Sequence, residues 1–218
     1  MEPYTNAMTT TETRAQQRRN AQAAATRLDI VLAARRLMLE RGYVSTSIGA
    51  IAAEAGVAVQ TIYNSLGSKA EVLAAVLEAA EAGQGQDAPS LVPAALRLRV
   101  AGARSAADVI RVLAAWFAEV NERGAGVFRV LGQAAAVDPD FARLEDRRAT
   151  QRLHSLGDAA AALRARNGLR SGLSDHEAAA AIWAIGHPQV YRALVVDIGW
   201  STATYREWLE KTLTATLA

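Results

Sequence analysis

Apolar residues recur at helical spacing along most of this chain. Ile30, Ala33, Ala34, Leu37 and Met38 follow i, i+3, i+4, i+7, i+8, the stripe of a helix with one face turned to a core, and Gly42 can end it. A shorter stripe, Ile48, Ile51, Ala52 and Ala55, starts after the candidate N-caps Thr46 and Ser47 and stops at Gly56. A third short segment runs from Ala58 to Ser65. Ser68 with Glu71 forms a capping box for a fourth helix that reaches Ala82, where Gly83-Gln84-Gly85-Gln86 breaks it.

Pro89 and Pro93 predict a loop and then a short helix before Arg104. Ser105 and Asp108 open a helix with the stripe Val109, Val112, Leu113, Trp116 and Val120, which Gly124 to Gly126 should interrupt before another at 127–136. Asp138-Pro139 starts a long helix ended by Asn167-Gly168. Ser174 with Glu177 opens one running towards Val196 and closed by Gly199. Pro188 would either bend that helix or restart it from its own first turn. Tyr205, Trp208, Leu209, Thr212, Leu213 and Thr216 mark the last helix. No strand and no internal repeat emerges, so the fold class is all-α.

Composition adds exclusions. The 218 residues include no cysteine, which removes disulfides, thiolate nucleophiles and Cys-ligated metals. The longest small-apolar stretch, 178–186, is far shorter than the roughly 20 residues of a membrane span. No apolar leader opens the chain, and a soluble cytoplasmic protein without membrane contact is expected. His154, His176 and His187 have no metal-ligand spacing, and there is no Gly-x-Ser-x-Gly elbow, phosphate loop or dinucleotide fingerprint. Neither an enzyme nor a cofactor is expected. The net charge of +2 is uneven, since residues 1–70 hold eight Arg/Lys against five acids.

That basic third carries the motif with chemistry. Two short helices joined by a Gly turn at residues 47–65 have the dimensions of a helix-turn-helix, whose second helix enters the DNA major groove. Ala52 permits close approach, Gly56 supplies the turn, and Val57 and Ile62 plug the shared core. Val59, Gln60, Thr61, Tyr63 and Asn64 would then face outward, offering base-edge readers, an apolar contact and hydroxyls. A surface helix that merely carries polar residues explains the same set.

The stretch Gly42-Tyr43-Val44-Ser45-Thr46-Ser47-Ile48, with Ile51-Ala52, Ala55-Gly56-Val57, Thr61-Ile62-Tyr63 and Ser68-Lys69, resembles the N-terminal signature of the tetracycline-repressor (TetR) family of bacterial transcription regulators. The resemblance covers roughly residues 27–75. It implies an all-helical homodimer, with an N-terminal three-helix helix-turn-helix domain and a C-terminal helical domain for ligand binding and dimerisation. It also implies that Thr46, Ser47, Tyr63 and Lys69 hold phosphates and that Gln60, Thr61 and Asn64 face the groove. Arg14, Arg18 and Arg19 would reach an adjacent minor groove. Gly49, Ala58, Val59 and Leu66 depart from the family pattern, so affinity would lean on the arm. The expected divisions are a flexible basic arm at 1–25, the DNA-binding domain with the start of a connecting helix at 26–82, and the ligand and dimer domain at 83–218.

In that last domain Trp116, Phe117, Phe128, Phe141, Trp183 and Tyr191 sit on separate helices and could line a cavity, although core packing explains them equally. His154, with Asp158 and Gln151, and His187 are further candidate ligand contacts. Arg143, Arg147, Arg148 and Arg152, alternating with Glu145 and Asp146, read as a solvated face. Ile182, Ile185, Trp208, Leu209 and Leu213 are expected to pair with a second copy in a four-helix interface. The reading is a regulator, most simply a repressor, that binds a palindromic double-stranded operator and releases it when a largely apolar small molecule binds. The alternative is a helix-turn-helix-derived ligand-binding or interaction protein with little sequence-specific DNA binding.

Overall fold

A computed structural model describes residues 14–82 and 93–218, and every regular element in them is helical. The helices are α1 (Arg14–Arg41), α2 (Ile48–Ala55), α3 (Val59–Ser65), α4 (Lys69–Ala82), α5 (Pro93–Ala101), α6 (Ala106–Val137), α7 (Pro139–Arg164), α8 (Asp175–Gly186), α9 (Pro188–Tyr191) and α10 (Thr202–Leu217). A π-helical turn, Arg192–Asp197, follows α9. The expected break at Gly83–Gln86, the loop at Pro89 and residues 1–13 of the expected arm lie outside the described residues.

Local chemistry sets most boundaries. Ser47 caps α2 by accepting from the Ala50 N–H, Ser105 and Asp108 cap α6 reciprocally, and Ser174 and Glu177 do the same for α8. Three boundaries differ from the sequence pattern. Residues 14–25 are helical and continuous with α1, because their Ala, Arg and Gln are good helix formers without a Gly or Pro, and α1 is already nucleated behind them. Gly124 and Gly126 do not interrupt α6. Gly124 is buried, and a Cβ there would lie 2.4 Å from the Phe128 ring, so the residue is small for packing rather than for turning. The helix opened at Ser174 stops at Gly186 instead of running towards Val196, and of the two readings of Pro188 the restart holds: it begins α9 at its first turn with His187 as N-cap.

Two apolar cores result. The first joins α1–α4 through Ile30, Leu37, Met38, Ile51, Ile62 and Leu73, and extends to Val127, Val130, Leu131 and Ala134 of α6 and Phe141 of α7. The second packs α5, the first half of α6, α7, α8 and α10 around Leu113, Phe117, Leu163, Ile182, Tyr205 and Leu209. The first core therefore crosses the boundary expected near residue 82. Three residues expected at a dimer interface are also corrected: Ile182, Leu209 and Leu213 are fully buried inside the chain, because α10 lies against α6 and α8. Ile185 and Trp208 remain half-buried.

Gly56 has φ +66°, with open space where a Cβ would stand, so its role is conformational. Gly56→Ala is expected to cost about 1–2 kcal/mol, lowering Tm by about 2–8 °C in thermal denaturation. Gly49→Ala, inside α2 and meeting only Ser47 Oγ at an ordinary 3.8 Å, should raise stability by a few tenths of a kcal/mol or more, up to about 1 kcal/mol.

Candidate DNA-facing helix and ligand cavity

The placement of α3 follows from what anchors it. Ile62 is fully buried, Arg27 of α1 donates to the Ser65 carbonyl at 2.9 Å, and the Val57 N–H closes the α2 turn onto Ala52 at 3.0 Å. With one face fixed, Val59, Gln60, Tyr63 and Asn64 stand exposed and Thr61 half-buried. Gln60 Nε2 donates to Asn64 Oδ1 at 3.0 Å, one turn away. This pair holds both amides in a defined orientation and leaves the Gln60 oxygen and the Asn64 amide nitrogen free of that bond. Arg14, Arg18 and Arg19 are exposed on the first turns of α1.

Two residues expected at phosphates are engaged internally. Thr46 is buried and its hydroxyl donates to the Gly42 carbonyl at 2.8 Å, which leaves Ser47 as the exposed hydroxyl at the start of α2. The Lys69 ammonium lies 4.1 Å from the centroid of the Tyr43 ring, and burial lowers its pKa against the pull of Asp138.

Tyr43 belongs to a junction, inside the first core, between the N-terminal helices and the end of α6 with the start of α7. Its hydroxyl donates to Asp138, between α6 and α7, and its N–H donates to Gln133 of α6 at 3.1 Å. Arg129 of α6 donates to the Leu39 carbonyl at 2.8 Å. Burial first, and then Asp138, push the Tyr43 hydroxyl well above its ordinary pKa of 10.0. The Tyr43 hydrogen bond is the largest influence holding the Asp138 carboxyl below its ordinary value, with the N–H groups of Phe141 and Asp140 adding to it against partial desolvation.

Beside this junction lies a cavity of about 200 Å³. Leu77 of α4 and Leu131 of α6, both part of the first core, line one side of it. Trp116, Phe117 and Phe128 of α6 and Trp183 of α8 supply aromatic walls, and His187 and Pro188 close the α8–α9 corner. Gly186 is required there, since a Cβ would fall within 2.5 Å of the Phe117 ring. Asn121 is buried, donating to the Gly186 carbonyl at 3.0 Å and to the Tyr205 hydroxyl at 3.1 Å. Burial pushes Tyr205 up to about 12, opposed by the Asn121 bond.

Five expected ligand residues are thus together: Trp116, Phe117, Phe128, Trp183 and His187. Three are elsewhere. Phe141 is buried in the first core, 6.5 Å from Tyr43 ring to ring. His154 is exposed on α7. Tyr191 packs edge-on against Tyr205 at 5.1 Å and lines a neighbouring groove. The expected solvated Arg/Glu face divides: Arg143 and Arg147 stay exposed, whereas Glu145 and Arg152 turn to the cavity and pair with one another. Arg152 lies over the Trp183 ring at 4.9 Å. Their spacing of seven residues puts both on one helix face, which the sequence displayed without revealing that this face is covered.

Comparison with known proteins places these features in context. Residues 30–76 match the family model described as bacterial regulatory proteins, tetR family. No curated protein matches the chain. Among solved structures, NalD, the secondary repressor of the MexAB-OprM multidrug efflux pump in Pseudomonas aeruginosa, is 22% identical over 90% of this chain and 98% of its own, with a TM-score of 0.69. The transcriptional regulator FadR from Bacillus subtilis, in complex with stearoyl-CoA, is 16% identical over 88% and 99%, at 0.67. An SmeT–triclosan complex is 22% identical over 89% and 92%, at 0.61. At these identities the likeness is one of fold.

The Tyr43–Asp138 bond carries a pH signature. Because the Asp138 pKa is lowered in the folded state, its stabilising contribution is complete above the ordinary carboxylate range and disappears as pH falls through the lowered value. Tyr43→Phe should therefore cost about 1 kcal/mol in denaturant unfolding at pH 7, with the gap from wild type closing towards pH 3. An equal gap at both pH values would assign the effect to packing.

Proposed function

We propose that this chain, whose residues 30–76 match the model of bacterial regulatory proteins of the tetR family, is a ligand-responsive DNA-binding regulator, a repressor that leaves a palindromic operator when a small molecule fills the cavity beside α6. The observation that carries this reading is a shared wall. Leu77 and Leu131 belong both to the core that holds α3 and to the cavity lining, so occupancy of the cavity bears on the support of the DNA-facing helix.

In this reading the side chains of α3 meet base edges and Ser47 a phosphate, while Arg14, Arg18 and Arg19 follow the backbone or minor groove. Lys69 contributes charge from its place over Tyr43. A second copy supplies the other half-site, about 34–36 Å away or a multiple of it. For that pairing we favour the outward side of α8, where the small residues Ala180 and Ala184 are exposed one turn apart, with half-buried Ile185 and with half-buried Trp208 on α10, which packs against α8. A ligand favours release only if it binds the non-fitting arrangement more tightly.

Among the described residues no helix is long and apolar enough to cross a membrane, and no group of His, Asp and Glu could hold a metal ion. We place the chain with the chromosome in the cytoplasm, acting by binding without a catalytic step. The alternative of a ligand-binding module indifferent to DNA sequence is disfavoured by the exposed, mutually oriented Gln60–Asn64 pair.

The test is fluorescence anisotropy on DNA flanking the coding region, with genome-wide fragment selection if that DNA is not bound. Gln60→Ala and Asn64→Ala should each weaken specific binding about 5- to 150-fold, equivalent to about 1–3 kcal/mol, and leave nonspecific binding unchanged. Because the two amides hold each other, the double variant should lose less than the sum. Unchanged sequence preference in all three variants would reject the reading.

A further inference from the structure

The cavity's polar atoms indicate which ligand it takes. Among the described residues, five side chains carry a buried nitrogen or oxygen without a hydrogen-bond partner, and four of the five line this cavity: Trp116 Nε1, Asn121 Oδ1, Glu145 Oε2 and Arg152 Nε. Such atoms are costly to leave unpaired, and their concentration at one concave, otherwise apolar place points to a partner that enters there. Two of them donate, the indole and guanidinium N–H groups, and two accept. The matching ligand carries a donor and an acceptor on an apolar body.

Charge narrows the class. Aromatic rings and a carboxylate would suit an organic cation, but the protein has filled that place with its own cation. The Arg152 guanidinium lies over Trp183 and bonds Glu145, so an incoming cation would have to displace it from both. An incoming anion would face the Glu145 carboxylate. His187 adds no charge at neutral pH: its Nδ1 accepts from the Gln189 N–H at 3.1 Å, and burial, then Arg152, lower its pKa. The polar edge is neutral overall. Size narrows the class again, because an apolar cavity of about 150 Å³ takes benzene, and this one of about 200 Å³ admits one substituted ring or two fused rings.

We propose that the cavity binds an uncharged aromatic hydroxyl compound of one or two rings, a phenol or naphthol, with the ring between the Trp and Phe walls and the hydroxyl accepting from the unpartnered N–H groups while donating to one of the two unpartnered oxygens. This rests on the reading of the chain as a ligand-responsive regulator and specifies the ligand that reading leaves open. It adds a required hydrogen-bonding edge to the largely apolar ligand expected. It also assigns Arg152 a selective part: by occupying the cation place it excludes organic cations.

The full chain is titrated at pH 7 by calorimetry and thermal shift with four probes of one shape: 2-naphthol, 2-methoxynaphthalene, 2-naphthoate and 2-naphthylmethylammonium. The naphthol should bind about tenfold or more tightly than each of the others. Trp116→Phe should lose much of the advantage over the methyl ether. Arg152→Met, by freeing Trp183 and Glu145, should gain affinity for the ammonium probe by about tenfold or more while losing preference for the naphthol, a gain that misfolding cannot imitate. Equal binding of the ammonium probe or the methyl ether to wild type, or no binding of any probe at millimolar concentration, would overturn the proposal. Binding of the ammonium probe with release of specific DNA would overturn the ligand class and leave the regulator standing. Selective naphthol binding that leaves the specific DNA complex intact would do the reverse.

Discussion

One unbroken helix sits in two hydrophobic cores, and the rest of the molecule is arranged around that constraint. α6 runs 32 residues, about 48 Å at 1.5 Å per residue. Val109, Leu113 and Phe117 from its first half are buried among α5, α7, α8 and α10, and Val127, Val130, Leu131 and Ala134 from its second half are buried among α1 and α4. Because interiors are close-packed, neither half can shift without moving neighbours in both cores. The cavity lies along the stretch between them, beside Val120, Asn121 and Phe128, where α6 changes from one set of partners to the other.

That position accounts for the mixed character of the cavity. Large aromatic side chains from both cores line the space where the two meet, while Asn121 ties α6 to the end of α8 and to Tyr205 of α10. On the other side, Tyr43, Gln133, Asp138 and Arg129 join the same helix to the end of α1 and the loop after it. These polar contacts are directional and each holds one geometry, whereas the apolar contacts resist any change of volume. A ligand that alters the rotamers of Trp116 or Phe128 therefore acts on a helix whose far end packs against α1 and α4, in the core that also holds Ile62 of α3.

Much of this was legible in the sequence because local chemistry decided it. The capping pairs Ser105–Asp108 and Ser174–Glu177, Gly56 at the α2–α3 turn and the stripe at Ile30 to Met38 each fix an element without help from distant residues. The same is true of the outward set on α3, which follows from the burial of Ile62. What the sequence did not reveal depends on which surface covers which. Gly124 reads as a break until Phe128 is seen lying against it. Arg152 and Glu145 read as solvent-facing until Trp183 and His187 close over that face of α7. Ile182, Leu209 and Leu213 are apolar enough for an interface, and only the docking of α10 on α6 and α8 shows that the chain uses them internally.

The DNA-facing unit and the cavity wall share one mechanical support through α6, a coupling that native-state hydrogen exchange tests without ligand or DNA. Leu113→Ala removes a fully buried side chain from the second core only and should cost about 2–5 kcal/mol there. If the two cores open together through α6, exchange protection in peptides covering 30–38 and 70–77 falls by a similar amount as in the C-terminal helices. Protection of those N-terminal peptides that stays at the wild-type level, while the C-terminal helices loosen, would contradict the account.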